Sequence, residues 1–341
     1  MKKIAMLATG SALALAAVTA SAEMSTNYYG FILASVNDND GSVNADGQGA
    51  NGPSRFGFTS SHELDGGLSA GAQLEYAVST NSGSIGQADG PGLRLANAHL
   101  AGDFGSIKVG TQWNPMYLWT TGTTDLFLSD AFTNARASDA TFRQDGAVFY
   151  TSPDFSGLQF QVGGILEDGS DSAGNRSSGI DSYTVAAKYT MGNLYASASY
   201  LTIDGGDQAD DADLLGIAVS YDYGFGTIAA SMTDQDDTDG VSQQLDDDGD
   251  PEATGRHNSI IGNNSPYELV ATYNATPNWT LKAAYANSDR DGGDDSSIAV
   301  EAEYAFSDQV STAFGVGMPD DNFDGTGSAD DTVSAALFVA F

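Results

Sequence analysis

The 341-residue sequence predicts an all-β fold, a 16-stranded antiparallel transmembrane β-barrel, and three observations carry the prediction. Short segments alternate apolar and polar residues with a period of two, the mark of a strand with one oily face. Their connections alternate between two kinds, seven tight turns and eight long polar stretches, as a barrel with one short-turn rim requires. Beyond the first twenty residues no segment approaches the roughly 18 apolar residues of a spanning helix. A soluble β-sandwich also alternates, but nothing in its construction segregates long connections from short ones or leaves both chain ends on the short-turn side.

The elements follow in order. Met1, Lys2 and Lys3, the apolar run Ile4 to Ala20, and Ser21-Ala22 read as a cleaved signal peptide over residues 1–22. Residues 23–341 then form a single transmembrane β-barrel. Against 46 acidic residues stand only 12 basic ones, a formal net charge of −34, which excludes nucleic acid as a partner because phosphate binding needs clustered Lys and Arg. A hydrophobic content of 41% and an aromatic content of 10% argue against an acidic disordered chain. Without cysteine there is no disulfide or thiol chemistry, and without a Gly-x-Ser-x-Gly or His-Glu-x-x-His motif no enzyme is expected.

The first strand is Tyr28 to Val36. In Ser54-Arg-Phe-Gly-Phe58, Phe56 and Phe58 outward put Arg55 inward. Leu68 to Val78 sets Leu68, Leu74, Tyr76 and Val78 against Ser69, Gly71, Gln73 and Glu75. Leu93 to Leu100 resists the pattern: Leu93 and Leu95 outward put Arg94 inward, but then Asn97 faces lipid, which is costly. A bulge or a subunit contact would resolve this, and the subunit contact is the expectation. The third long stretch, Asn114 to Phe142, carries Met116, Tyr117, Leu118, Trp119, Leu126, Phe127, Leu128 and Phe132, too apolar for a solvated loop. It is expected to fold inward onto the barrel wall. Val148 and Tyr150 outward put Arg143 inward. Leu158–Val162, Trp279–Tyr285 and Ile298–Phe306 alternate cleanly. Asp331 to Phe341 forms the last strand, with Val333, Ala335, Leu337, Val339 and Phe341 on the outer face, and is expected to close onto Tyr28–Val36. Eight strands would leave a filled interior; sixteen leave an aqueous channel.

These segments together resemble the Gram-negative general porin family over essentially the whole mature chain. The resemblance rests on Tyr29-Gly30, Ser54 to Phe58, Gly66-Gly-Leu-Ser-Ala-Gly-Ala-Gln-Leu-Glu-Tyr76, Arg94-Leu95, Gly102-Asp-Phe-Gly-Ser-Ile-Lys-Val-Gly-Thr-Gln-Trp113, Tyr150-Thr-Ser-Pro-Asp-Phe-Ser-Gly-Leu158 and terminal Phe341. Each is weak alone; in order and at these spacings they are specific. The resemblance implies a homotrimer of 16-stranded barrels in the outer membrane, in contact with lipid and lipopolysaccharide. It also implies a third loop whose acidic residues face wall arginines, and a terminal aromatic read by the assembly machinery. Carried over, the arginines are Arg55, Arg94 and Arg143; the loop carboxylates are Asp125 and Asp130, with Asp139 behind them; Glu75 and Lys108 are further lumen residues. The family's Pro-Glu-Phe-Gly-Gly turn in the third loop and its first-strand lysine are absent, so the lumen should be less positive.

The function expected is passive diffusion of ions and small hydrophilic solutes, preferring cations because the mouth is acidic. The alternative is a solute-selective channel with a saturable site. The Asp-rich runs Thr233–Gly240 and Leu245–Glu252 have the oxygen density of a Ca²⁺ loop but not the twelve-residue spacing, so they read as solvated charge, with weak Ca²⁺ binding as the alternative.

Overall fold

The computed structural model describes residues 24–39, 42–46, 54–80, 83–85, 93–132, 142–166, 180–203, 212–236, 265–290, 293–320 and 331–341. The 1–22 segment, Asp139 and most of the two Asp-rich runs lie outside these residues. The strands are β1 (Met24–Asn39), β2 (Ser42–Asp46), β3 (Ser54–Leu64), β4 (Leu68–Val78), β5 (Leu93–Gly102), β6 (Gly105–Trp113), β7 (Arg143–Gln144), β8 (Ala147–Thr151) and β9 (Leu158–Leu166). They continue with β10 (Ile180–Met191), β11 (Leu194–Ile203), β12 (Ala212–Asp222), β13 (Thr227–Asp236), β14 (Tyr267–Asn274), β15 (Trp279–Arg290), β16 (Gly293–Ser307), β17 (Val310–Pro319) and β18 (Thr332–Ala340). β2 prolongs the first hairpin and β7 leads into β8, so the wall itself has sixteen strands, all antiparallel.

The barrel closes where expected. β18 pairs with β1 from Phe31↔Ala340 to Asn39↔Thr332, and Gly30 and Phe341 exchange backbone hydrogen bonds of 3.2 and 3.0 Å. Closure removes both sheet edges, which is the condition for strands to stand in hydrocarbon with every backbone group paired. The apolar side chains are the exposed ones: Val185 is 52% exposed, Ile217 50%, Phe314 58% and Leu337 47%, whereas Thr184, Ser199 and Ser334 on the opposite face are buried. This inverts a soluble sandwich. Phe338, the one large residue breaking the polar face of the last strand, packs inside against Phe31 at 5.0 Å.

The seven tight turns are present. At Asp65-Gly66-Gly67 both glycines have positive φ, 79° and 75°, a conformation that L side chains adopt only at a cost.

β5 corrects the expectation of a subunit contact at Asn97. The register with β4 runs Tyr76↔Leu93 and then Glu75↔Leu95, so Arg94 is an extra, bulged residue. A bulge turns consecutive side chains to one face. Arg94 and Leu95 are both buried, and beyond them Asn97 lies in the lumen row opposite Gln73, donating to the Thr111 carbonyl at 3.0 Å. Arg94 does point inward, though Leu95 does not point outward.

A second irregularity follows in β6, where Gly110 has φ 114°. Gln112 fills the break, donating to the carbonyls of Lys108, Gly110 and Ala147 at 3.0, 3.3 and 3.1 Å. Beyond it Trp113 pairs with Arg143.

Candidate functional site

The third loop lines the inside of the barrel from β10 round to β1. Its ends meet at the wall, where Asn114 N donates to the Phe142 carbonyl at 2.6 Å. The Asn114 side chain accepts from Met116 N and donates to Thr184 on β10, starting two short helical turns, Met116–Thr120 and Thr121–Thr124. Tyr195 and Ser197 of β11 donate to the Trp119 carbonyl at 2.6 and 2.5 Å, and Thr120 shares a 2.7 Å hydrogen bond with Ser199. Gly216 of β12 makes room for the loop, since a Cβ there would lie 2.6 Å from Met116 Sδ. Thr124 donates to Glu268 of β14 and shares a hydrogen bond with Ser231 of β13.

Further along, Lys282 of β15 donates to the Leu126 carbonyl at 2.7 Å and pairs with Glu301 and Glu303 of β16, also at 2.7 Å. Glu301 accepts from Ser129 N (2.7 Å), Ser129 Oγ (2.6 Å) and Leu128 N (3.1 Å). Loop backbone groups cannot be left unbonded against a wall, and these side chains take the place of water. Phe127 and Phe132 fill a patch of Val270, Ala284, Ala286 and Ala299, while Leu128 packs on Leu33, Ala313 and Ala336. The small wall residues are the counterpart of the bulky loop residues.

The wall that the described part of the loop leaves uncovered carries the arginines. Arg55 is on β3, Arg94 on β5 and Arg143 on β7, with Glu75 of β4 between the first two. Glu75 Oε1 is 2.8 Å from Arg94 Nε and 3.9 Å from Arg55 Nη1; its other oxygen accepts from Tyr29 OH at 3.1 Å. Gln73 in turn donates to Tyr29 OH at 2.8 Å. Arg55 lies over the Phe31 ring at 4.6 Å, and Trp113 has Arg143 at 5.0 Å and Arg94 at 5.9 Å from its centroid. Trp113 stacks on Tyr117 of the loop at 4.7 Å, and Tyr117 OH donates to Asp125 Oδ2 at 2.5 Å.

The structure thus brings Arg55, Arg94, Arg143 and Glu75 together and ties Asp125 to the same cluster through Tyr117. Asp130 stands elsewhere: its carboxylate accepts from Ser35 and Asn37 of β1 at 2.9 and 2.7 Å, and its backbone N–H donates to Ser334 at 3.2 Å. Its bonds fasten the end of the loop to the closure seam. Lys108 faces the lumen opposite His99, roughly 15 Å along β6 from Trp113 toward the short-turn rim. Arg55, Arg94, Lys108, Arg143, Lys188 and Lys282 all face inward; Lys188 lies 4.7 Å from the Trp119 ring.

Sequence reasoning missed Trp113, because counting by twos from outward Val109 places it outside. Gly110 followed by a glutamine was the available signal. It also missed the loop anchors Glu268, Lys282 and Glu301, whose only local sign is charge at inward parity.

A sequence model of the family described as Gram-negative porin matches residues 8–324. The chain is 28% identical over 248 residues to outer membrane porin protein 32 of Delftia acidovorans, spanning 67% of this chain and 66% of that protein. It is 30% identical over 196 residues to outer membrane protein S2 of Salmonella typhi, spanning 54% and 45%. The matched part is therefore less than two thirds of either relative's length. Among solved structures, the anion-selective porin from Comamonas acidovorans is similar with a TM-score of 0.68 at 19% identity, covering 94% of this chain and 100% of that one. The Salmonella typhi OmpF complex with daunomycin gives 0.70 at 18%, covering 93% and 97%. The trimer form of OmpT from Vibrio cholerae gives 0.62 at 16%, covering 93% and 99%.

Proposed function

The chain belongs to the Gram-negative porin family, an outer-membrane β-barrel, and from that membership we propose a passive diffusion channel for ions and small hydrophilic solutes, constricted between Arg55, Arg94 and Arg143 on the wall and Asp125 on the third loop. One observation carries this reading: the loop is hydrogen-bonded to the opposite wall, leaving the arginine wall facing it. Charges of opposite sign on two sides of a narrow aqueous passage make a transverse field in which polar solutes align and apolar ones lose ordered water. Glu75 lowers the net charge of the arginine cluster, and Asp130 serves as an anchor of the loop.

Cation preference is supported by the acidic balance of the chain, −34 overall, together with the neutralisation of Lys282 by Glu301 and Glu303. The remainder of the proposal is a homotrimer in contact with lipid and lipopolysaccharide, exported with a signal peptide over residues 1–22. A second reading, a solute-selective channel, is favoured by the aromatic stack beside the arginines, which offers a π face to a ring-bearing solute.

Planar-bilayer recording in a KCl gradient tests the first reading. Arg55→Gln, Arg94→Gln and Arg143→Gln together should raise the cation-to-anion permeability ratio, and Asp125→Asn should lower it; unchanged ratios in both would remove the constriction. Conductance that saturates with one solute would favour the second reading.

A further inference from the structure

The arginine cluster poses a problem of position. Arg55 and Arg94 flank one carboxylate, Glu75, and Arg143 stands two strands beyond Arg94. Like charges at close range repel, and long cationic side chains left to themselves extend into water. Arg94 is nonetheless 4% exposed, and its Nη1 is enclosed without a hydrogen-bond partner. Its Nε is held by Glu75 at 2.8 Å, and its Cζ lies 5.9 Å from the Trp113 ring centroid. The same ring takes Arg143 at 5.0 Å and stacks within 20° of parallel on Tyr117. Tyr117 packs on Phe142 at 4.7 Å, and Phe142 is where the loop rejoins the wall. Three aromatic rings therefore clasp the neck of the loop, with two arginines against one end and the Asp125 carboxylate bonded to the middle.

We propose that Trp113 is the positioning residue of the constriction: its ring holds Arg94 and Arg143 to the wall and, through Tyr117, fixes Asp125 relative to them, so that it sets charge selectivity while the arginines supply the charge. This rests on the constriction reading above. A guanidinium over an indole face is favoured over its released rotamers by about two- to thirty-fold, depending on how dry the site is. Removing the ring takes this aromatic contact from Arg143, leaves Arg94 to Glu75, and loosens the Asp125 carboxylate at once.

The test compares Trp113→Ala and Trp113→Phe in wild type and in an Arg94→Gln/Arg143→Gln background, reading reversal potential in a KCl gradient and single-channel conductance. Heat-dependent gel mobility reports that each barrel has folded. Trp113→Ala should change the permeability ratio about two-fold or more, at the low end of that range. Trp113→Phe should restore most of it, and Trp113→Ala should add nothing once the arginines are gone. Tyr117→Phe, which keeps the stack and removes the hydroxyl that bonds Asp125, should give a smaller change and stands in if Trp113→Ala does not fold. A folded Trp113→Ala channel with wild-type selectivity overturns the proposal. So does an equal change in the Arg94→Gln/Arg143→Gln background, because the ring would then act on ions directly. If Arg94→Gln/Arg143→Gln itself leaves selectivity unchanged, the constriction reading falls with it.

Discussion

Glu301→Ala should undock the middle of the third loop without unfolding the barrel. Glu301 is 3% exposed and holds four groups: Leu128 N, Ser129 N, Ser129 Oγ and Lys282 Nζ. Lys282 keeps Glu303, so the cost falls on the loop donors: each buried N–H left unbonded costs about 1–3 kcal/mol, and the Ser129 hydroxyl adds to it. These costs overlap because the released loop regains water, so about 3–5 kcal/mol is the reasonable total for the docked state. At about 1.4 kcal/mol per decade, that is roughly two to four orders of magnitude in the ratio of docked to released loop. The strand ladder of β15 and β16 is untouched, so the barrel should still form. Amide hydrogen exchange at Leu128 and Ser129 should accelerate by a comparable factor, and single-channel traces should show excursions to a larger conductance. If Leu128 and Ser129 exchange as in wild type in a folded Glu301→Ala barrel, the loop is held by Phe127 and Leu128 packing instead, and the electrostatic latch is wrong.

Three further outcomes are expected. Selectivity measured at a fixed concentration ratio should weaken as mean salt approaches 1 M, where the Debye length is about 3 Å; salt-independent selectivity would point to steric sieving. Gly66→Ala should destabilise the barrel by about 1 kcal/mol in a urea titration of folded protein in detergent, because its φ of 79° penalises a Cβ although no atom lies in the way. Gly315→Leu should expel the loop segment at Ser129 and Ala131, whose side chains a Cβ would already strike, and should raise conductance more than Gly66→Ala does.

Strand positions, tight turns and barrel closure are legible in the sequence because each depends on local pattern, two-residue alternation ended by glycine and aspartate. The loop's inward course is legible for a different reason: Phe127, Leu128 and Phe132 need cover that water does not provide. Failures gather where alternation breaks. At Arg94 the side chain's direction is right but its premise is wrong, since the bulge turns Leu95 in as well. At Gly110 and Gln112 a second break reverses Trp113. The anchors Glu268, Lys282 and Glu301 escape because their partners, the Thr124 hydroxyl and loop backbone groups, are more than a hundred residues away. Pairing at that distance has no local trace beyond charge on an inward face.

The loop's attachment also has a mechanical side. A closed sheet in a bilayer is a thin-walled cylinder under lateral pressure, and its softest deformation is ovalisation. A brace bonded from β10 round to β1 stiffens that arc, whereas among the described residues the arc from β3 to β8 has no comparable run of wall-to-loop hydrogen bonds. Shape fluctuations of the tube should therefore concentrate on the arc that bears Arg55, Arg94 and Arg143. The width of the passage is then governed by flexing of the charged arc against a rigid one, and the aromatic clasp at Trp113 on β6 ties the loop to the charged arc.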